Sequence, residues 1–219
     1  NGYPDGSFRP EGNVTRAQMA KMIAYIVSGG EDVGDLYAGA TAFSDCLTHW
    51  ARGYIAYANT QGIIAGVGNG RFNPDGNVTG AQAAKMMLCA LGYDQETEGY
   101  TGAGWSVNVL AKARTEGLLE GIEDADMNAP LSRQNAARLM FNALEAKMVE
   151  YERGSITVEG GGSTVTIGGS EATYIREGAD DSLVYNFLQL YEQYFPELQQ
   201  LNADEVEDME RPSHTWAYK

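Results

Sequence analysis

A stretch near the start of the chain recurs 64 residues later, and this repeat constrains the fold more than any other feature. Phe8-Arg9-Pro10-Glu11-Gly12-Asn13-Val14-Thr15 returns as Phe72-Asn73-Pro74-Asp75-Gly76-Asn77-Val78-Thr79. The match continues through Ala17-Gln18 with Ala81-Gln82 and through Ala20-Lys21-Met22 with Ala84-Lys85-Met86. A third, more diverged copy aligns Trp105 with Trp50, Ala113 with Ala58, Gly117-Leu118-Leu119-Glu120-Gly121 with Gly62-Ile63-Ile64-Ala65-Gly66, and Leu131-Ser132 with Val78-Thr79. Its central loop is shorter and lacks the Phe-x-Pro element. Self-similarity at such a period marks stacked supersecondary units, each too small to bury its apolar face alone.

Each unit reads as helix, apolar connector, Gly/Pro loop, helix. The first helix of copy two starts near His49-Trp50 and carries Trp50, Tyr54, Tyr57 and Ala58 at helical spacing. Gly62 suits a left-handed C′ position, and Gly68 to Gly76 is turn chemistry. The second helix opens on a capping box, with Thr15 as N-cap and Gln18 at N3, and Val14 and Met19 as hydrophobic staple. Thr79, Gln82, Val78 and Ala83 repeat the device. Ser132 caps the third copy, with Asn135 a weaker N3 partner. Copy one opens inside its loop, so it reads as truncated and the chain as a fragment or processed form. The expected division is a partial first repeat over 1–40, a second over 41–98, a third over 99–149 and an extension over 150–219.

In the extension, residues 155–159 and 163–167 alternate like two strands joined by Gly160-Gly161-Gly162. A helix is predicted from Asp180 to Leu198, with Leu183, Phe187, Leu190 and Tyr194 on one face. That face is the expected wall for copy one. Without it, Arg16 should lie in an open site. Residues 202–210 read as a solvated acidic loop, and 211–219 as the entry to a strand.

The formal charge is −15, from 15 Lys+Arg against 30 Asp+Glu. Nucleic acid and anionic membranes are therefore not expected partners of the overall field, and an anionic ligand needs a local basic site. No apolar run is long enough for a transmembrane helix. Cys46 and Cys89 are too few for a disulfide framework and read as reduced thiols. His49 and His214 are too scattered for a histidine-based zinc site. Asn69, Asn73 and Asp75 lack the spacing of a calcium loop and read as a turn. No catalytic set, phosphate-binding loop or cofactor motif emerges.

Arg16 and Arg133 sit at N1 of capped helices. Helix N-termini offer backbone N–H groups to anions, and an added guanidinium makes a receptor for carboxylate or phosphate. The alternative is a solvated or Asp-paired surface arginine. Gly80 takes this position in copy two, which should be weak or silent. The recurrence of Trp50 as Trp105 favours a core role for that ring over stacking on a sugar.

Val14-Thr15-Arg16-Ala17-Gln18 resembles the Thr-Arg-Ala-Glu signature of S-layer homology domains. Phe43-Ser44-Asp45 before His49-Trp50-Ala51, Gly62-Ile63-Ile64-Ala65-Gly66, and the Gly-x-Phe-x-Pro loop resemble the same family, over about residues 1 to 148. The resemblance implies a mostly α fold, a pseudo-threefold helical spindle, here followed by a small β-hairpin and helix. It implies non-covalent anchoring of an exported bacterial protein to the cell wall, through an anionic, often pyruvylated, secondary cell-wall polysaccharide. Arg16 and Arg133 are then the implied carboxylate contacts, Thr15 and Ser132 groove-edge groups, and His49 a further ligand-facing candidate. No cofactor or metal is implied. The departures are Gln18 and Gln82 for Glu, Gly80 for Arg, and Gln134-Asn135 for Ala-Glu. The degenerate second copy and the truncated first copy favour an alternative reading, a structural subunit of a surface layer or fibre with vestigial grooves and self-association.

Overall fold

A computed structural model describes residues 3, 5–40, 43–157, 164–176, 186–201 and 215–219, with the backbone alone over 152–170. The chain runs α1 (Arg16–Val27), α2 (Arg52–Thr60), α3 (Gly80–Ala90), α4 (Trp105–Thr115), α5 (Arg133–Glu145), β1 (Val149–Thr157), β2 (Thr164–Tyr174), α6 (Leu190–Tyr194), β3 (Leu198–Leu201) and β4 (Thr215–Tyr218). The fold is mostly α. Between residues 43 and 148 the helices α2 to α5 are joined by turns, with isolated bridges only.

The caps explain the helix starts. The Thr15 Oγ1 accepts from the Gln18 N–H at 3.2 Å, and the Gln18 side chain accepts from the Thr15 N–H at 3.0 Å. Thr79 and Gln82 reproduce both bonds at 3.2 Å. Ser132 makes only the first half, accepting from the Asn135 N–H at 3.3 Å. Thr79→Ala should cost about 1 kcal/mol, lowering the thermal midpoint by roughly 2–4 °C in a melting experiment. At the other end of α2, the Gly62 N–H donates to Asn59 O and the Ile63 N–H to Ala58 O, with Gly62 at φ 74. This Schellman closure turns Ile63 and Ile64 inward, where both are buried.

The three capped helices are tied by their N-terminal flanks into a closed ring. The Val14 N–H donates to Leu131 O, the Leu131 N–H to Val78 O, and the Val78 N–H to Val14 O, at 2.9–3.0 Å. Val14, Val78 and Leu131 are buried at its centre. Around it, α2 packs on α1 and α4 packs on α3, and one continuous apolar core joins all of them.

The C-terminal region departs from expectation. The strands are longer than the expected 155–159 and 163–167, the first starting at Val149 and the second ending at Tyr174. β1 and β2 pair antiparallel from Val149↔Tyr174 to Thr157↔Thr164, with an irregularity between Tyr151 and Arg153, and the turn between them lies outside the described residues. β3 and β4 form a second antiparallel pair, so a strand does follow near the end. Of the helix predicted from Asp180 to Leu198, residues 180–185 lie outside the described residues, and within 186–198 only Leu190–Tyr194 is helical. Leu183 and the 202–210 stretch lie outside the described residues, and Phe187 instead forms a β-bridge with Arg176. The apolar spacing there reflects burial rather than helix length. Leu190 and Tyr191 bury themselves as α6 packs across α5 and α1. Cys46 and Cys89 are free thiols, and burial pushes them up to about 12 and about 11.

Candidate functional site

The N-terminal N–H groups of the capped helices are not open to an anion. The Arg16 N–H donates to Gly76 O and the Ala17 N–H to Pro74 O; the Gly80 and Ala81 N–H groups donate to Ala129 O and Met127 O; the Arg133 and Gln134 N–H groups donate to Gly12 O and Pro10 O. Each helix end is thus capped by the loop of another copy. The helix-end receptor expected from sequence is used up internally, because stacked repeats satisfy their orphan donors against one another.

The side chains at N1 differ. Arg16 is only 5% exposed. Its Nε donates to Phe72 O at 2.8 Å and its Nη2 to Ala65 O at 3.0 Å, and the guanidinium lies 4.4 Å from the Phe72 ring centre. Burial pushes its pKa down, against the opposing field of Asp45. The loop it grips is held from the other side by Asp45, which accepts from the Phe72 and Asn73 N–H groups at 2.9 and 2.8 Å. Arg16 therefore lies in a closed site, not the open one expected if α6 packed elsewhere. α6 does reach α1, but beside Gly29 past its C-terminal end, and it is loop 65–72 that closes over the arginine.

Arg133 makes the equivalent Nε bond, to Phe8 O at 2.8 Å. Its guanidinium stands 4.8 Å from the Phe8 ring centre and 5.2 Å from that of Tyr3, at the edge of an open groove of about 1060 Å³ between α1 and α5. Its polar and cationic lining comes from Gln18, Lys21, Tyr25, Trp50 and Arg133. Its apolar lining includes Met22, Ile26, Ala137, Met140, Phe141 and Leu144.

In copy two, Gly80 leaves room for Met127, which comes from the third loop lacking Phe-x-Pro. A Cβ at Gly80 would stand 2.7 Å from the Met127 side chain and 2.9 Å from its Cα. Gly80→Ala should therefore destabilise by about 1–3 kcal/mol, although glycine to alanine inside a helix ordinarily stabilises by about 1 kcal/mol. Urea unfolding of Gly80→Ala, alone and with Met127→Ala, checks the sign and its relief.

The remaining sequence candidates are placed as follows. Thr15 and Ser132 spend their hydroxyl oxygens on the caps and do not line the groove. His49 accepts the Ala51 N–H on Nδ1 at 3.1 Å and faces Asp75 with Nε2 at 3.3 Å. The first bond assigns the ring proton to Nε2, and His49 braces the start of α2 against the second loop. Trp50 is not core. It is 56% exposed, because helical geometry begins only at Arg52 and the ring sits in the preceding turn.

Lys21, Tyr25, Tyr3 and Phe8 line the groove without standing out in the sequence, and Trp50, read there as core, lines it too. The Lys21 Nζ lies 4.7 Å from the Tyr54 ring centre, 5.5 Å from Tyr25 and 5.9 Å from Trp50. The Tyr54 and Tyr25 hydroxyls donate to Asp32 at 2.7 and 2.8 Å and hold its carboxyl below its ordinary value. A usable signal existed: a basic residue stands five positions after N1 in every copy, as Lys21, Lys85 and Arg138. Among the described residues, no cluster of three His, Cys, Asp or Glu could hold a metal, and no helix is long and apolar enough to cross a membrane.

The site is thus a cation-and-aromatic groove on a cyclic array of capped repeat helices, in an otherwise acidic chain. The family model of the S-layer homology domain matches residues 1–20 and 42–84, and these segments belong to that family. The chain is 36% identical over 156 residues to a cell surface protein of Thermoanaerobacter kivui, covering 70% of this chain and 19% of that one. It is 44% identical over 88 residues to cell surface glycoprotein 1 of Acetivibrio thermocellus, covering 40% and 4%. Similarity to the cellulosome-anchoring protein of the same organism is 29% over 156 residues, covering 66% and 35%. The chain thus spans well under two thirds of each of these relatives. The family and the relatives place it outside the cell, associated with the cell wall, and support cell-surface anchoring.

Proposed function

We propose that the three copies form a pseudo-threefold spindle, divided near residues 40, 98 and 149, whose α1–α5 groove binds an anionic secondary cell-wall polysaccharide and so anchors the parent protein non-covalently. One observation carries this reading: Arg133 and Lys21 face the same aromatic-lined groove on a chain of net charge −15. Such a pair supplies the local basic site that an acidic sugar needs, and the aromatic faces suit a sugar ring. A pyruvylated residue fits this chemistry, because its carboxylate can take two parallel bonds from a guanidinium. The test is co-sedimentation of the chain with wall sacculi before and after the polysaccharide is chemically stripped. Retention is expected only before stripping. Equal retention on stripped peptidoglycan overturns the reading.

The second copy favours an alternative, in which the module is a structural subunit of a surface assembly. There Met127 occupies the space of the missing arginine side chain, so that copy lacks a signature cation. Concentration-dependent self-association in sedimentation, without retention on unstripped sacculi, would support it.

A further inference from the structure

At the offset of 64, Asp5-Gly6-Ser7 of copy one corresponds to Asn69-Gly70-Arg71 of copy two. Asp5-Gly6 and Asn69-Gly70 both sit in exposed turns, but their side chains are held differently. The Asp5 carboxylate accepts from the Ser7 N–H at 3.0 Å, the Ser7 hydroxyl at 2.6 Å and the Arg9 guanidinium at 2.9 Å. Copy two has Arg71 and Asn73 in place of Ser7 and Arg9, so it lacks the hydroxyl and the guanidinium of that set. Among the described residues, neither the Asn69 side-chain amide nor the Gly70 N–H has a hydrogen-bond partner.

Asn69 and Gly70 both have positive φ, 51 and 67, and the Arg71 N–H closes the turn on Gly68 O at 3.0 Å. Asparagine followed by glycine suits a turn with two such residues. The same pair sets an amide carbon beside a backbone nitrogen whose own residue has no side chain to crowd it. The turn lies within the segment that joins copies one and two. Ala65 O and Phe72 O accept from Arg16, and Pro74 O and Gly76 O cap α1. Gly70 O accepts from the Ser44 N–H at 2.9 Å and the Ser44 hydroxyl at 3.2 Å.

We propose that Asn69-Gly70 is a site of spontaneous modification, at which the second loop alters its own backbone and loosens the joint made by Arg16. The Gly70 nitrogen gives its proton to solvent hydroxide and attacks the side-chain carbonyl carbon of Asn69. A C–N bond forms, the bond from that carbon to the amide nitrogen breaks, and the amide nitrogen takes a proton from water and leaves as ammonia. The product is a five-membered succinimide between residues 69 and 70. Water then adds to one of its two carbonyls and opens the ring. Addition at the side-chain carbonyl leaves an aspartyl residue. Addition at the main-chain carbonyl leaves an isoaspartyl residue, whose main chain is one methylene longer. A turn this tight cannot absorb the extra carbon and keep both the Gly68–Arg71 bond and the Ser44–Gly70 bonds. The carbonyls gripped by Arg16 lie on either side of it, so the disturbance reaches them. Copy one is spared, because the Ser7 and Arg9 bonds hold the Asp5 carboxyl down to about 2, and an ionised carboxylate is a poor electrophile. No step depends on the sugar groove, so this site and the anchoring reading fail separately.

The experiment ages the folded chain in mildly alkaline buffer and maps its peptides by mass spectrometry. Residue 69 should gain the mass difference between an amide and an acid, faster than any other described asparagine. Protein isoaspartyl methyltransferase should label part of the product. Asn1-Gly2 lies outside the described residues, and fragment spectra separate it from Asn69. The isoaspartyl-rich fraction should melt roughly 4–8 °C lower, since about two hydrogen bonds go with the turn. Asn69→Gly keeps a residue tolerant of positive φ and has no amide to lose, so its midpoint should hold on ageing. Asn69→Asp carries the charge without the longer main chain, and before ageing it should melt within about 2 °C of the unaltered chain. An Asn69 amide that survives ageing of the folded chain, or is lost only in urea, overturns the proposal. So does isoaspartate at residue 69 with an unchanged midpoint. An unaged Asn69→Asp chain that melts as low as the aged fraction overturns it too, because charge alone then explains the loss.

Discussion

Arg16→Ala is expected to destabilise the chain by about 3 kcal/mol, seen as a fall of roughly 6–12 °C in the melting midpoint. The reason lies in what the side chain satisfies. Its Nε and Nη2 donate to Phe72 O and Ala65 O, and its plane covers the Phe72 ring, which is itself fully buried. Removing it strips donors from two carbonyls in a closed site and opens a void beside Phe72. Those carbonyls belong to the second copy, so the loss falls on a joint between repeats and not on α1 alone. Arg16→Lys should recover little, because an ammonium cannot hold two divergent acceptors and stack on a ring together. Denaturant unfolding of both variants checks this. An Arg16→Ala protein of unchanged stability would remove the guanidinium from the account of how the copies are joined.

What could be read in advance depended on range. The capping boxes at Thr15 and Thr79, the weaker cap at Ser132 and the glycine closure at Gly62 are local devices, complete within a few residues, and the structure forms each one. The destination of a long side chain is not local. Arg16 bonds a carbonyl 56 residues away and Arg133 one 125 residues away, and nothing around either arginine distinguishes a gripped guanidinium from an open one. Gly80 and Met127 make the point in another way. Each alone reads as degeneration of its copy. Packed together they are one substitution, a bulky loop residue exchanged for an arginine side chain. Trp50 failed because periodicity was extended two residues beyond the helix that generates it. Among the described residues of the helix predicted over 180–198, only Leu190 to Tyr194 is helical, because apolar spacing suits helix and buried irregular chain alike.

Arg133→Ala should weaken binding to wall-polymer fragments by roughly ten- to hundredfold, which corresponds to about 1.5–3 kcal/mol for a charge-assisted contact. Its effect on stability should be smaller than that of Arg16→Ala. It gives up a single bond, to Phe8 O, in a partly open setting. The two arginines therefore separate cleanly by measurement, one moving the melting midpoint and the other the affinity. Arg133→Lys keeps the charge but loses the fork, so it should recover only part of the affinity. Lys21→Ala should lower affinity as well, since Lys21 shares the groove and completes its cationic pair. Added salt should weaken binding moderately, because the attraction comes from two local charges on an acidic chain and not from a broad basic field. Titration of the folded Arg133→Ala protein with the same fragments decides the matter. Affinity equal to that of the unaltered chain would leave Arg133, like Arg16, a joint between repeats, and would move the weight of the evidence to the structural-subunit reading.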